Sequence, residues 1–370
     1  MNNFFKLDWI LITSVLLLII IGLLVLYSIS FAGAVFNGGN LDRQIISISI
    51  GLGIMFFLAF SDYRKLNSQS TKLYFLMLLM LLVVILVGKT VKGHTGWLGF
   101  ASFSFQPVEL AKLIIIIFLA SFLSKKRTQL SIVVRIIASV VLIFFPVFLI
   151  LKQPDLGSTV IILACWIILL ATSGINKKNL AILFLVGALI LSPSWFFLKN
   201  YQKDRIVNFV DPYRDPSGSG YNVIQATIAV GSGQIFGKGL GHGSQSQLNF
   251  LPEKHTDFIF SVVAEELGFF GALAVLVLFG IIFWRMKEVA RLAKDNFGYL
   301  LVTGSMSMLF FQLLVNAGMN IGVMPVAGVP LPLLSYGGSS MVVTLSALGI
   351  VQSVYLRRLK IDTVENLNER

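Results

Sequence analysis

Asp257 is the sharpest candidate for chemistry in this chain. It follows Leu251-Pro252-Glu253-Lys254-His255-Thr256 and opens a long apolar run. Two readings of that carboxylate stand side by side. It is a helix-start charge, favoured by the helix dipole with Thr256 as cap. Or it is a general base at a membrane surface, which the same dipole keeps ionised. Glu109 and Lys112 open another apolar run, three residues apart on one helical face, where they can pair. Lys152 and Asp155 flank the Gln153-Pro154 turn between two more runs. Glu265 and Glu266 lie inside the run that Asp257 opens, with no cation within helical reach. Charges in such runs need a partner, a purpose or a proton. Gln312, Asn316 and Asn320 recur every fourth residue and so share one helical face. Hydrogen bonding to neighbouring helices is the commoner use of such a row.

Other constellations fail. The stretch Gly231 to Gly239 invites a phosphate-loop reading, but Ser232 stands where the first glycine of that motif belongs, and Leu240 and Gly239 follow Lys238 in place of Ser or Thr. His94, His242 and His255 match no zinc spacing. No Ser-His-Asp or Cys-His arrangement emerges. Cys165, the single cysteine, excludes an intrachain disulfide and reads as a small buried hydrophobe.

The elements that must position these residues follow from composition. Of 370 residues 56% are hydrophobic and 12% charged, where soluble domains carry about 25% charged residues. Such a chain needs lipid as its solvent. A helical span takes about 20 apolar residues, and ten stretches qualify: 9–31, 43–60, 72–88, 109–124, 131–150, 155–173, 178–197, 257–284, 299–320 and 338–356. The expected fold is an all-α integral membrane protein, one polytopic domain over 1–370. The first apolar run is too long for a cleavable signal and no small-residue site follows it, so it reads as a retained span.

The net charge of +12 belongs to the loops. With the N-terminus inside, Arg64, Lys65, Lys125, Lys126, Arg127, Arg285, Arg291 and the Arg357-Arg358-Leu359-Lys360 run fall on cytoplasmic segments. The short outer segments hold only Arg43, Lys89, Lys92, Lys112 and Lys152. This bias puts both termini in the cytoplasm and accounts for the charge without nucleic acid as a partner. The long polar segment at about 199–256, between the seventh and eighth spans, is then extracytoplasmic. Loops of that length are functional or disordered. Its stretch Tyr221 to Val230 is apolar enough to lie along the membrane surface.

Four motifs resemble the shape, elongation, division and sporulation family. They are QSQLNFLPEKHTDFIF from Gln245 to Phe260, FQPVELAK from Phe105 to Lys112, QPDLGS from Gln153 to Ser158, and PLPLLSYGGSS from Pro330 to Ser340. Together with the ten spans the resemblance covers nearly the whole chain. Gly328 to Leu333 and the Gln-rich Gly243 to Gln247 look like the elongation branch of that family. Gly96 precedes Trp97 where many relatives carry a basic residue, so no Arg–phosphate contact carries over to this loop.

The resemblance implies a peptidoglycan glycosyltransferase of the cytoplasmic (inner) membrane. Its substrate would be lipid II, a disaccharide-pentapeptide on undecaprenyl pyrophosphate, polymerised at the outer face. Its partners would be a class B penicillin-binding protein and other elongation-complex membrane proteins. Asp257 would be the catalytic base. Arg43, Lys112 and Arg205 would hold the diphosphate, Glu109 would position Lys112, Gln202 would orient a sugar or phosphate, and Trp97 would stack on a sugar face. Asp155, Lys254 and Ser335 complete the substrate-binding set. A divalent cation, Mg or Mn, could accompany the diphosphate, though no metal motif is visible. Two other classes stay open: a flippase for lipid II, which would spread polar groups through the membrane depth, and a non-enzymatic scaffold of the wall-synthesis complex.

Overall fold

A computed structural model describes residues 4–30, 39–91, 94–100, 103–124, 131–176, 178, 179, 181, 182, 185, 200–216, 220–248 and 250–358. Apolar runs become helices because only a helix satisfies its own backbone in lipid. The helices are α1 (Trp9–Ser30), α2 (Gly39–Phe60), α3 (Arg64–Val87), α4 (Pro107–Ser124), α5 (Ile132–Lys152) and α6 (Leu156–Thr172). After them come the shorter α7 (Asn200–Val210), α8 (Tyr221–Ser232) and α9 (Ser244–Gln247), then α10 (Ile259–Arg291), α11 (Asn296–Asn320) and α12 (Gly338–Leu356). Eight of these are long and apolar enough to cross a membrane, and α6 is a shorter apolar helix. The protein is therefore a multi-pass membrane protein. The expected seventh span, 178–197, lies mostly outside the described residues.

Burial separates the centre from the lipid face. The apolar windows of α4 and α12 are 78% and 83% buried, against 17% for α5. α12 lies along α2, and the approach is close: a Cβ at Gly349 would stand 2.5 Å from the Met55 carbonyl oxygen. Small residues at such crossings let backbones meet without a hydrophobic force between helices.

Two features depart from the expected pattern. Between α3 and α4 the chain forms a three-stranded antiparallel sheet of β1 (Lys89–Val91), β2 (His94–Phe100) and β3 (Phe103–Phe105), with Lys89 opposite Trp97 and Leu98 opposite Phe105. And α10, expected as one span over 257–284, is broken at Gly268 (φ 69, ψ −164). The segment before α10 supplies what the break exposes. Lys238 and Gly239 donate their amides to the Glu265 and Glu266 carbonyls at 3.0 Å each, and the Phe269 amide donates to Gln234 at 2.9 Å. α8, the stretch expected along the membrane surface, buries Val223, Ala226 and Ala229.

The two ends of the bundle carry different chemistry. At one end Arg285 pairs with Asp8 at 2.8 Å, Arg64 with Asp295 at 3.4 Å, and Arg357 with Asp62 at 3.7 Å. At the other, Ser28 at the far end of α1 donates to the Glu266 carboxylate at 2.7 Å. The candidate site lies at this second end.

Candidate active site

The Asp257 mount is built from carbonyls. Tyr336 donates its amide to the His255 carbonyl at 2.8 Å, and the Ser335 hydroxyl donates to that of Thr256 at 2.6 Å. Asn316 and Asn320 of α11 donate their side-chain amides to that of Asp257 at 2.9 and 3.0 Å. Three successive peptide units before α10 are thus tied to the 331–336 loop and to α11. The row expected to bridge helices does so for Asn316 and Asn320, while Gln312 leaves its Oε1 buried without a partner. Asp257 is half-buried. It stands outside the first turn of α10, whose cap position is Phe258 with no side-chain cap. Thr256 turns its hydroxyl to the Glu253 carbonyl at 3.4 Å, so the expected Thr cap does not form. A Cβ at Gly328 would stand 3.7 Å from Asp257 Oδ2, so the 327–329 loop lines the carboxylate.

Ser335 and Lys254, expected to bind substrate, make hydrogen bonds within the protein. Ser335 also accepts from the Leu331 amide at 2.8 Å, and its carbonyl accepts from Gln44 at 3.1 Å. Lys254 is buried and donates its ammonium to the Ser246 carbonyl. Burial pulls its pKa down, opposed by the fields of Glu266 and Glu265. Burial, with the Lys254 charge, lowers the pKa of the neighbouring His255 to about 4, so this ring is neutral at pH 7.

Glu265 and Glu266 find their partners outside their own helix. Glu265 accepts from the Gln245 and Ser246 amides at 2.8 and 3.0 Å and from Lys238 at 3.2 Å. Glu266 accepts from Ser28 and, at 3.0 Å, from Gln247.

The remaining expected residues lie on several separate elements. Glu109 and Lys112 form an ion pair of 2.7 Å, with side chains only 4% and 2% exposed. The pairing expected from their spacing is present, but the ammonium is buried within the bundle. Arg43 is exposed on α2 beside Gln44, whose Oε1 accepts from the Gly337 amide at 3.1 Å. Asp155 caps α6, accepting from the Ser158 amide at 2.9 Å. Gly157 lets α6 touch the 327–329 loop, since a Cβ there would stand 2.6 Å from Val329 Cγ2. Trp97 on β2 and Arg205 on α7 are half-buried. Gln202 lies on α7, and its side chain is outside the described residues. Gln44, Gln106 and Gln153 were not singled out by spacing or charge, because single amides leave no pattern. Among the described residues no three His, Cys, Asp or Glu side chains gather into a metal site.

The family model for the cell cycle proteins FtsW, RodA and SpoVE matches residues 8–359. The chain belongs to this family. The peptidoglycan glycosyltransferase MrdB of Escherichia coli (strain K12) is 38% identical over 321 residues, covering 86% of each chain. The fold is similar to a chain in a structure described as a peptidoglycan synthase complex coordinating polymerization and crosslinking. That match has a TM-score of 0.79, 34% identity, and coverage of 96% of this chain and 99% of that one. It is also similar to the rod shape determining protein RodA of Thermus thermophilus, with a TM-score of 0.71, 30% identity, and coverage of 96% and 98%. Family membership agrees with the resemblance drawn from the four motifs.

Proposed function

We propose that this protein is a peptidoglycan glycosyltransferase that polymerises lipid II during cell elongation, at the outer face of the cytoplasmic membrane. The observation that carries the mechanism is Asp257: a half-buried carboxylate on a peptide segment whose carbonyls are each held by a neighbour. An acceptor sugar hydroxyl is a poor nucleophile at neutral pH. A positioned carboxylate that takes its proton as the glycosidic bond forms contributes about 10²–10⁴-fold. The carboxylate takes the acceptor proton, the acceptor oxygen bonds the anomeric carbon with inversion, and the lipid diphosphate leaves with the bonding electrons.

The leaving diphosphate needs charge stabilisation more than a proton. Exposed Arg43 and half-buried Arg205 are the cations assigned to it, and charge-assisted bonds to phosphate are strong. Lys112, tied to Glu109, would add positive charge from within the bundle. A divalent cation, Mg or Mn, would enter with the diphosphate and add to that neutralisation. The Lys and Arg bias of the loops supports the orientation with Asp257 outside. The similarity to the synthase-complex chain supports a class B penicillin-binding protein as the crosslinking partner.

The buried acids do not favour a flippase. Glu265 and Glu266 are saturated by protein donors and offer no relay of free groups through the membrane depth. The test is Asp257→Asn in purified, folded protein with labelled lipid II, alone and with the transpeptidase. Loss of polymer with retained lipid II binding is the expected result. Polymer made at the wild-type rate ends the assignment.

A further inference from the structure

Gln153 closes α5 and is 1% exposed. Its Nε2 donates to the Leu81 carbonyl at 3.3 Å. That bond fixes which way the amide faces, because a carbonyl cannot donate. Its Oε1 is consequently buried with no donor. A buried acceptor left unpaired is costly and calls for an explanation. This acceptor faces Gly96 of β2. A Cβ placed on Gly96 would stand 3.7 Å from Gln153 Oε1 and 4.0 Å from Gln106 Nε2, and among the described residues nothing else comes within 4 Å. One acceptor and one donor therefore face the same spot, where Gly96 leaves room.

The spot is joined to the Asp257 mount from both sides. Gln106 donates its backbone amide to Ser339 at 3.0 Å, at the start of α12. Gln153 leads through Pro154 and Asp155 to Gly157, which touches the 327–329 loop beside Asp257.

We propose that Gln153 and Gln106 form a subsite for the acetamido group of a substrate sugar. A secondary amide carries one N–H and one C=O. Its N–H would satisfy Gln153 Oε1, its carbonyl would accept from Gln106 Nε2, and its methyl would lie against Gly96. The subsite rests on the glycosyltransferase reading, since it supposes a sugar substrate at this end of the bundle. It adds the part of that sugar the site reads.

The test compares lipid II with an analogue whose sugars carry free amines in place of acetamides. Binding to the full chain in nanodiscs is measured alongside polymerisation, for wild type, Gln153→Met and Gln106→Leu. The wild type is expected to prefer the acetylated lipid by about tenfold or more, the scale of leaving a buried acceptor unpaired. Both variants are expected to bring the two lipids to parity. Gln106 is only half-buried, so Gln106→Leu answers for a misfolded Gln153→Met. Equal binding of both lipids by the wild type, as when a water alone fills the spot, overturns the subsite. So does a preference that survives both substitutions. Binding that discriminates without any polymer being made, alone or with the transpeptidase, leaves the subsite standing and removes the glycosyltransferase reading instead.

Discussion

Asn316 donates to the Asp257 carbonyl at 2.9 Å and to the Val329 carbonyl at 2.7 Å. One amide thus joins the two backbone segments that border the Asp257 carboxylate. Asn320 donates to the same Asp257 carbonyl and receives the Ser261 amide at 3.0 Å, which holds the first turn of α10. The base is positioned through its backbone, from a neighbouring helix.

Asn316→Leu keeps the bulk and removes both bonds. The Val329 carbonyl loses this donor and the Asp257 carbonyl keeps only that of Asn320. Leaving a buried acceptor unpaired costs about 1–3 kcal/mol. The thermal midpoint is expected to fall, and lipid II polymerisation to fall by more than the loss of folded protein explains. Unchanged melting together with full activity would mean that the α11 amides do not position Asp257.

The Glu109–Lys112 pair makes a different prediction, because both side chains are almost fully buried. Removing one partner strands the other charge, at a cost of about 3–5 kcal/mol, whereas replacing both by apolar groups of similar size is often neutral. Glu109→Gln and Lys112→Met should each destabilise strongly, and the double variant should recover most of the melting midpoint. Polymerisation by the double variant then separates two roles. A folded but inactive protein makes Lys112 part of the chemistry, and a folded, active one leaves the pair to architecture alone. Additive losses of stability would deny the pairing itself.

How much of this was legible in the sequence depends on distance along the chain. Eight spans were readable because lipid forces apolar runs into helices, the Glu109–Lys112 pair because its partners lie within one turn, and the shared face of Asn316 and Asn320 because they stand four apart, though their partners Asp257 and Val329 were not. The donors to Glu265 and Glu266 were not, since Ser28, Lys238 and Gln245 come from other segments and carry no spacing signal. The break at Gly268 was hidden by a hydropathy that runs on unchanged through it. Ser335 and Lys254 lie within matched motifs, but a motif does not say whether a side chain faces a ligand or its own backbone. The short strands after Gly88 are interrupted by glycines, which leaves too little alternation to read.

His255 predicts a pH dependence. Its folded pKa is lowered from 6.5 to about 4, by burial first and then by the Lys254 charge. Above pH 6.5 the ring is neutral in both states and contributes no pH dependence. Between pH 6.5 and 4 the unfolded chain takes a proton that the folded chain refuses, so stability falls as the medium is acidified. Melting midpoints measured from pH 7 to pH 4 should decline, and His255→Phe should flatten that part of the profile. An identical slope in the variant would assign the acid sensitivity to the carboxylates.

Gly268 carries the last prediction, because the unit that holds Asp257 ends there. Its φ of 69 is a conformation side chains rarely adopt, and a Cβ would stand 2.6 Å from the Ile235 carbonyl oxygen. Gly268→Ala must therefore strain the backbone, at about 1–3 kcal/mol, or push away the segment whose amides satisfy Glu265 and Glu266. Either route disturbs the short helix between Asp257 and the break, so polymerisation and the melting midpoint should fall together. Gly280→Ala is the matched control. It lies farther along α10, a Cβ there meets nothing within 4 Å, and the exchange should stabilise the helix by about 0.5–1 kcal/mol. Equal behaviour of the two variants would show that the break is incidental to the site.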